Sequence, residues 1–166
     1  MGSKESIIPA LRSAAPQLFE KPDLSALKAD SLRCPDLVEG FCRAVASSGG
    51  KTAFLEGDPA TVARSFFPDT DDIAVVPGHF GVAENGCVYL EEPEEGRRLD
   101  YFVHEALVIV LDRKEIVANM HDAYDRIGET VTGYGIFISG PSKTADIEQA
   151  LVFGAHGARE VGIFLK

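Results

Sequence analysis

Residues 107–111 read LVIVL. Five aliphatic residues in a row leave no polar face, so the segment is expected as a β-strand covered on both sides. That is the environment of a strand inside a parallel sheet. Downstream, Ile116, Val117, Met120, Tyr124 and Ile127 recur on one side of a helical pattern, with Glu115, Asn119, Asp122 and Arg126 on the other. Gly128 ends that helix. The next strand is expected over Gly135–Ser139, a helix over Thr144–Phe153 and a last strand over Val161–Leu165.

Upstream the same alternation holds. Leu37, Val38, Phe41, Cys42 and Val45 have helical spacing, with Pro35 at the start and Gly49-Gly50 at the end. Thr52–Leu55 is a short strand. Asp58-Pro59 opens a helix through Phe66, because Asp58 can cap it and Pro59 suits the first helical position. Ile73–Val76 is a buried strand. Phe80–Ala83 and Cys87–Leu90 are strands around Glu84-Asn85-Gly86, where Asn-Gly signals a tight turn. Alternating strands and helices give an α/β fold with a mainly parallel sheet between helical layers. We expect one domain over residues 34–166, preceded by an N-terminal arm over 1–33. Pro9, Pro16 and Pro22 interrupt any helix in the arm. Its apolar residues Ile7, Ile8, Leu11, Leu18 and Phe19 pack either on the chain's own domain or on another subunit. The run Glu91–Arg98 is expected as a solvated loop.

The 166 residues carry a formal net charge of −10. Nucleic acid and anionic membrane surfaces attract basic footprints, so both are poor partners for this chain. No apolar run approaches the ~18 residues that cross a bilayer, and the N-terminus lacks the pattern of a signal peptide. Cys34, Cys42 and Cys87 stand far apart without a Cys-x-x-Cys pair. The expected compartment is therefore the reducing cytoplasm, and no iron–sulfur or zinc centre is expected within the chain.

Three places can carry chemistry. Gly140-Pro141-Ser142-Lys143-Thr144 follows a strand and precedes the expected helix. Ligands in open α/β sheets lie outside the carboxyl ends of strands, and a helix start there welcomes an anion. Gly140 lets the backbone turn, Ser142 and Thr144 can donate hydrogen bonds, and Lys143 supplies charge. Asp146 and Glu148 complement the same dipole, so plain capping is the alternative. His156, in Gly154-Ala155-His156-Gly157, is either an acid–base group or a partner for loop carbonyls. Glu84, in Ala83-Glu84-Asn85-Gly86, is either a nucleophile or base, or a surface turn residue. His79, His104, His121 and His156 show no metal-ligand spacing. His104-Glu105 lacks the second histidine of a zinc-protease helix.

The run Ser139–Glu148, followed by Gly154-Ala155-His156-Gly157, resembles the C-terminal signature of the LUD-domain family, in its lactate-utilisation protein C branch. Gly81-Val82-Ala83-Glu84-Asn85-Gly86 is similar to that family's Ala-Glu-Thr-Gly motif, and the resemblance extends over about residues 35–166. It implies a three-layer αβα fold shared with ribose-5-phosphate isomerase, glucosamine-6-phosphate deaminase and CoA transferases. It also implies a cluster-free subunit of a cytoplasmic assembly that oxidises L-lactate to pyruvate. Iron–sulfur clusters would reside in partner oxidoreductase subunits. Asn85 departs from the family's Thr, and Ala-Glu-Asn-Gly then resembles the Ser-Glu-Asn-Gly of class I CoA transferases, where the Glu is the nucleophile. The alternatives are an independent enzyme acting on an acyl-CoA or sugar phosphate, and a non-catalytic assembly protein. The family often has a histidine just before the aliphatic strand; Leu107 takes that place here, with His104 nearby. The expected site joins Glu84 and His156 with Gly140, Ser142, Lys143 and Thr144.

Overall fold

The computed structural model describes residues 3–14, 20, 22–23, 25–26, 34–91, 98–128, 133–144, 152–153 and 156–166. The chain divides into two compact units, Met1–Asp30 and Ser31–Lys166. The first holds helix α1 (Ser3–Ser13). Pro9 lies inside α1 rather than ending it. It removes one backbone donor, and the helix continues to Ala14, whose N–H bonds the Ala10 carbonyl at 3.0 Å.

The second unit is built on a four-stranded parallel sheet. Its strands are β1 (Lys51–Phe54), β2 (Ile73–Pro77), β5 (Ala106–Leu111) and β10 (Glu160–Leu165), in the order β1-β10-β5-β2. The aliphatic run is the heart of β5. It pairs with β10 through Leu107↔Val161 and Ile109↔Ile163, and with β2 through Leu107↔Ala74 and Ile109↔Val76. A strand with neighbours on both edges and cover on both faces has no exposed position for a polar side chain.

Period 2 sends alternate residues to opposite layers. Leu107, Ile109 and Leu111 join Val161, Ile163 and Leu165 in one core, with Phe41 and Val45 of helix α2 (Leu37–Ser47). Ala106, Val108 and Phe164 join Ala63 and Phe67 in a second core, around helix α3 (Pro59–Phe66). Both helices start as their sequences require. Asp36 accepts the Glu39 N–H at 3.0 Å, and Asp58 accepts the Thr61 N–H at 2.9 Å with Pro59 beside it.

A second sheet has the order β6-β3-β4-β7, from β3 (Phe80–Val82), β4 (Val88–Glu91), β6 (Ile116–Val117) and β7 (Gly135–Ile138). β3 and β6 run parallel; β4 is antiparallel to β3 and to β7. Val88, Leu90 and Ile116 face the α2 side. Phe80, Val82, Cys87 and Tyr89 pack with Ala123 of helix α4 (Met120–Ile127). Helices and sheets thus stack in the expected α/β layers.

In the second unit the structure corrects the sequence reading in two segments. The helix expected from Ile116 begins at Met120 instead. Asp112 closes a single 3-10 turn over Arg113–Glu115, and the β-branched pair Ile116-Val117 extends beside Gly81-Val82. Ile116 and Val117 then point to opposite cores, as a strand demands. Asn119 restarts helical geometry by accepting the Asp122 N–H at 3.0 Å. The helix expected over Thr144–Phe153 is replaced at both described ends. There β8 (Lys143–Thr144) pairs antiparallel with β9 (Val152–Phe153), while residues 145–151 lie outside the described set. Most of the charged run, residues 92–97, lies outside it too.

The central strand makes a stability prediction. Ile109 is 0% exposed, whereas Val75 on edge strand β2 is 38% exposed. Ile109→Ala should cost about 2–5 kcal/mol in urea unfolding, and Val75→Ala less than about 1 kcal/mol. Equal losses would show that β5 is not the centre of the core.

Candidate functional site

The Glu84 turn is fixed by its backbone. Ala83 N–H bonds the Val117 carbonyl at 2.9 Å, and Glu84 N–H bonds the Ala118 carbonyl at 3.1 Å. Gly86 N–H closes the turn on the Val82 carbonyl at 2.9 Å, while the Asn85 Oδ1 accepts the Cys87 N–H at 3.1 Å. Gly86 has φ +70°, and a Cβ there would strike the backbone of Ala44 and Val45 in α2. Conformation and close approach both therefore require glycine. The exposed Glu84 carboxylate accepts the Met120 N–H at 2.9 Å. It satisfies one of the unpaired donors at the start of α4, where negative charge is favoured.

The Gly140 turn packs on the end of α2. Gly140 has φ +67°, and a Cβ there would meet the Ser48 carbonyl and Oγ. Lys143 Nζ donates to the Ser48 carbonyl. Ser142 N–H bonds the Ala158 carbonyl at 2.9 Å, and Ser142 lies against Gly157, next to the exposed His156. Ser139 Oγ donates to the Asn85 carbonyl at 3.1 Å and so links the two turns. These contacts link the Glu84 turn to the Gly140 turn through Asn85 and Ser139, and the Gly140 turn to the His156 loop through Ser142. The structure engages Glu84 and Lys143 with different backbone partners. Thr144 contributes backbone to the β8–β9 pair.

The location differs from the expected one. Ser48 precedes β1, and Ala158 precedes β10, so the Gly140 turn lies at the amino ends of the parallel strands. No helix follows it at Lys143–Thr144, so the donors there are side chains and loop backbone rather than a helix start. A groove of about 440 Å³ occupies the same edge, lined by Gly49, Lys51, Asp69, Thr70, Glu105, Pro141, Arg159 and Glu160. Lys51 Nζ lies 2.7 Å from Glu160, and Arg159 lies 4.0 Å from Glu105. Sequence reading missed this cluster because its residues come from four separate strand starts.

A histidine clasp borders this edge. His104 Nδ1 lies 2.6 Å from Asp72 Oδ1, and Asp72 Oδ2 accepts the Glu105 N–H at 3.1 Å. Asp100 stands 4.0 Å from the other ring nitrogen. Bonding to His104, then to the Glu105 N–H, holds the Asp72 carboxyl below the usual range. His79 pairs instead with Glu91 at 3.1 Å. Among the described residues, no three His, Cys, Asp or Glu side chains converge as a metal-ligand set. The cysteines are separate as well: Cys34 Sγ donates to the Asp36 carbonyl, and Cys87 is buried 3.9 Å from the Met120 sulfur. Burial pushes the Cys87 thiol up to about 11, which disfavours the thiolate that metals require.

The layers and the two linked turns define a small α/β domain with a polar cleft at one sheet edge. Comparison with known proteins gives the particular group. The LUD domain model matches residues 69–165, more than half of the chain. The chain belongs to the LUD-domain family. It is 32% identical to an uncharacterised protein of Neisseria meningitidis over 72% of this chain and 52% of that one. It is 32% identical to lactate utilization protein C of Bacillus pumilus over 51% of this chain and 38% of that one. To the protein of the same name in Geobacillus kaustophilus it is 34% identical, over 46% and 34%. The chain therefore matches about half or less of the length of these relatives. A crystal structure of a DUF162 family protein from Deinococcus radiodurans has the same fold. It aligns with a TM-score of 0.59 at 12% identity, covering 81% of this chain and 99% of that one. Among the described residues, no helix is long and apolar enough to cross a membrane.

The Asp72 clasp predicts a pH dependence. A carboxyl whose folded value is lowered contributes stability above its ordinary value of 3.8 and loses it as pH falls through the folded value. Asp72→Asn should lower the melting temperature at neutral pH, and the gap from the parent should close below about pH 4. A gap that widens on acidification would contradict the assignment.

Proposed function

We propose that this chain is the cluster-free subunit of a cytoplasmic assembly that oxidises L-lactate to pyruvate, with iron–sulfur clusters in partner subunits. The observation that carries this reading is family membership, together with relatives whose names are lactate utilization protein C. The separated, partly buried cysteines agree with placing the clusters elsewhere. Residues 34–166 would act as one domain, with the N-terminal residues as an arm.

Oxidising lactate at C2 releases two electrons and two protons. The electrons and one proton leave for the partner subunits; this chain would hold the carboxylate and accept the other proton, that of the C2 hydroxyl. The Gly140 turn supplies an anion seat from Ser142, Lys143 and Thr144. Lys143 must exchange its Ser48 contact for the ligand, a small rearrangement of an exposed side chain. Glu84, held by the Met120 N–H, is the proposed base, and His156 supports from the adjoining loop.

An affinity-tagged copy should co-purify with a cysteine-rich iron–sulfur oxidoreductase, and deletion of the gene should abolish growth on L-lactate. Normal lactate growth after deletion would refute the reading. Within the assembly, Glu84→Gln keeps an oxygen for the Met120 N–H but removes the base. Lactate-dependent dye reduction should fall by about 100-fold or more. Unchanged turnover would leave Glu84 as a helix cap alone.

A further inference from the structure

The two edges of the parallel sheet are finished differently. At the β2 edge Gly78 N–H bonds the Val110 carbonyl at 2.8 Å, so the alternate residues Val75 and Pro77 face outward. Pro77 has no N–H to offer there, and the 3-10 turn Arg98–Tyr101 packs against the strand. At the β1 edge Leu55 N–H bonds the Leu165 carbonyl at 2.8 Å, which turns Ala53 inward to β10 and Thr52 and Phe54 outward. Among the described residues, no backbone group pairs with the outward N–H and C=O groups of Thr52 and Phe54. Phe54 itself is 61% exposed. Lys51, the one charge in β1, is drawn away from the edge: its Nζ lies 2.7 Å from Glu160 and 5.2 Å from the Phe67 ring centroid. A strand edge with unpaired backbone groups, an exposed aromatic ring and no guarding charge or proline is a template for another strand.

We propose that β1 pairs antiparallel with β1 of a second copy of this chain, across a two-fold axis at Ala53, so that two parallel sheets join into one. Self-complementarity selects the occupant. In that register Thr52 and Phe54 of the partner subunit stand opposite one another and exchange two backbone hydrogen bonds, and the axis repeats the pair. Every outward backbone group of both residues is then satisfied. Thr52 and Phe54 share the α2 face, since Ala53 and Leu55 pack in the α3 core. Each pair therefore sets a β-branched side chain against an aromatic ring. Lys51 stands opposite Leu55 of the partner subunit, so the two lysines do not meet. Gly50 ends the ladder, because its N–H already bonds the Val45 carbonyl at 2.9 Å. A foreign strand would have to match this pattern by its own sequence, whereas a second copy matches it by symmetry. The net charge of −10 on each copy opposes approach at long range, so added salt should favour the pair. The antiparallel joint points the two amino edges to opposite ends of the joined sheet. The proposal stands independently of the lactate reading.

Light scattering on the eluting full chain reads the mass directly. The parent should run at twice 17.8 kDa, dissociate on dilution, and dissociate less at higher salt. Phe54→Lys, which sets a charge in each cross-strand pair, should raise the dimer dissociation constant by at least about tenfold. Val75→Lys, at the β2 edge, should leave it unchanged. Ala53→Cys places two thiols across the axis at a non-hydrogen-bonded pair, where a Cα spacing of about 4.5 Å suits a disulfide. Mild oxidation should cross-link this variant into dimers but not the parent, which carries Cys34, Cys42 and Cys87. Circular dichroism checks that each variant folds. A parent that stays at 17.8 kDa at every concentration would overturn the proposal. So would a Phe54→Lys affinity within twofold of the parent, or an Ala53→Cys variant that cross-links no faster than the parent. A chain that dimerises only after residues 1–33 are removed would assign the edge to the arm and overturn it as well.

Discussion

Parallel pairing on both edges of β5 is the constraint on which the rest depends. A strand whose neighbours both run alongside it must be covered above and below, because parallel connections place their crossovers on the faces. The layer of α3 and the layer of α2 with the second sheet follow from that requirement. So does the cleft. With four strands pointing one way, the segments leading into them, at Gly49, Thr70, Glu105 and Arg159, converge on one edge. Each brings a polar residue that its own strand has no room to bury.

Much of this was legible from residue types. The LVIVL run, the Asp58-Pro59 start and the Asn85-Gly86 turn each carry a local physical cause, and each stands where it was expected. The misses have causes as well. Ile116 and Val117 fit helical spacing with Met120, yet two β-branched residues after a capped 3-10 turn gain more by completing the second sheet. Pro9 was read as a helix breaker and sits within α1. The amino-edge groove was not legible, because its residues are distant in sequence and share no motif.

The site also changed in character. In sequence, the Ser-Lys-Thr turn is either an anion seat at a helix start or a plain cap. The structure gives it a loop beside a short antiparallel pair, its Lys143 reaching the end of α2. Glu84 looked like an isolated turn carboxylate. It caps α4 across the second sheet and is tied, through Asn85 and Ser139, to the Gly140 turn. The two turns are neighbours because Gly86 and Gly140 both let backbone approach α2 where a side chain would collide. Any chemistry shared by these residues thus depends on packing against one helix end.

The central claim is that a small carboxylate enters at the amino edge of the parallel sheet. Backbone amide chemical-shift mapping of the labelled full chain with L-lactate tests it most directly. The account predicts shifts concentrated at Gly49, Gly140, Ser142 and Lys143. Shifts concentrated instead at Gly78, Asp112 and Lys166, beyond the carboxyl ends of the strands, would contradict it.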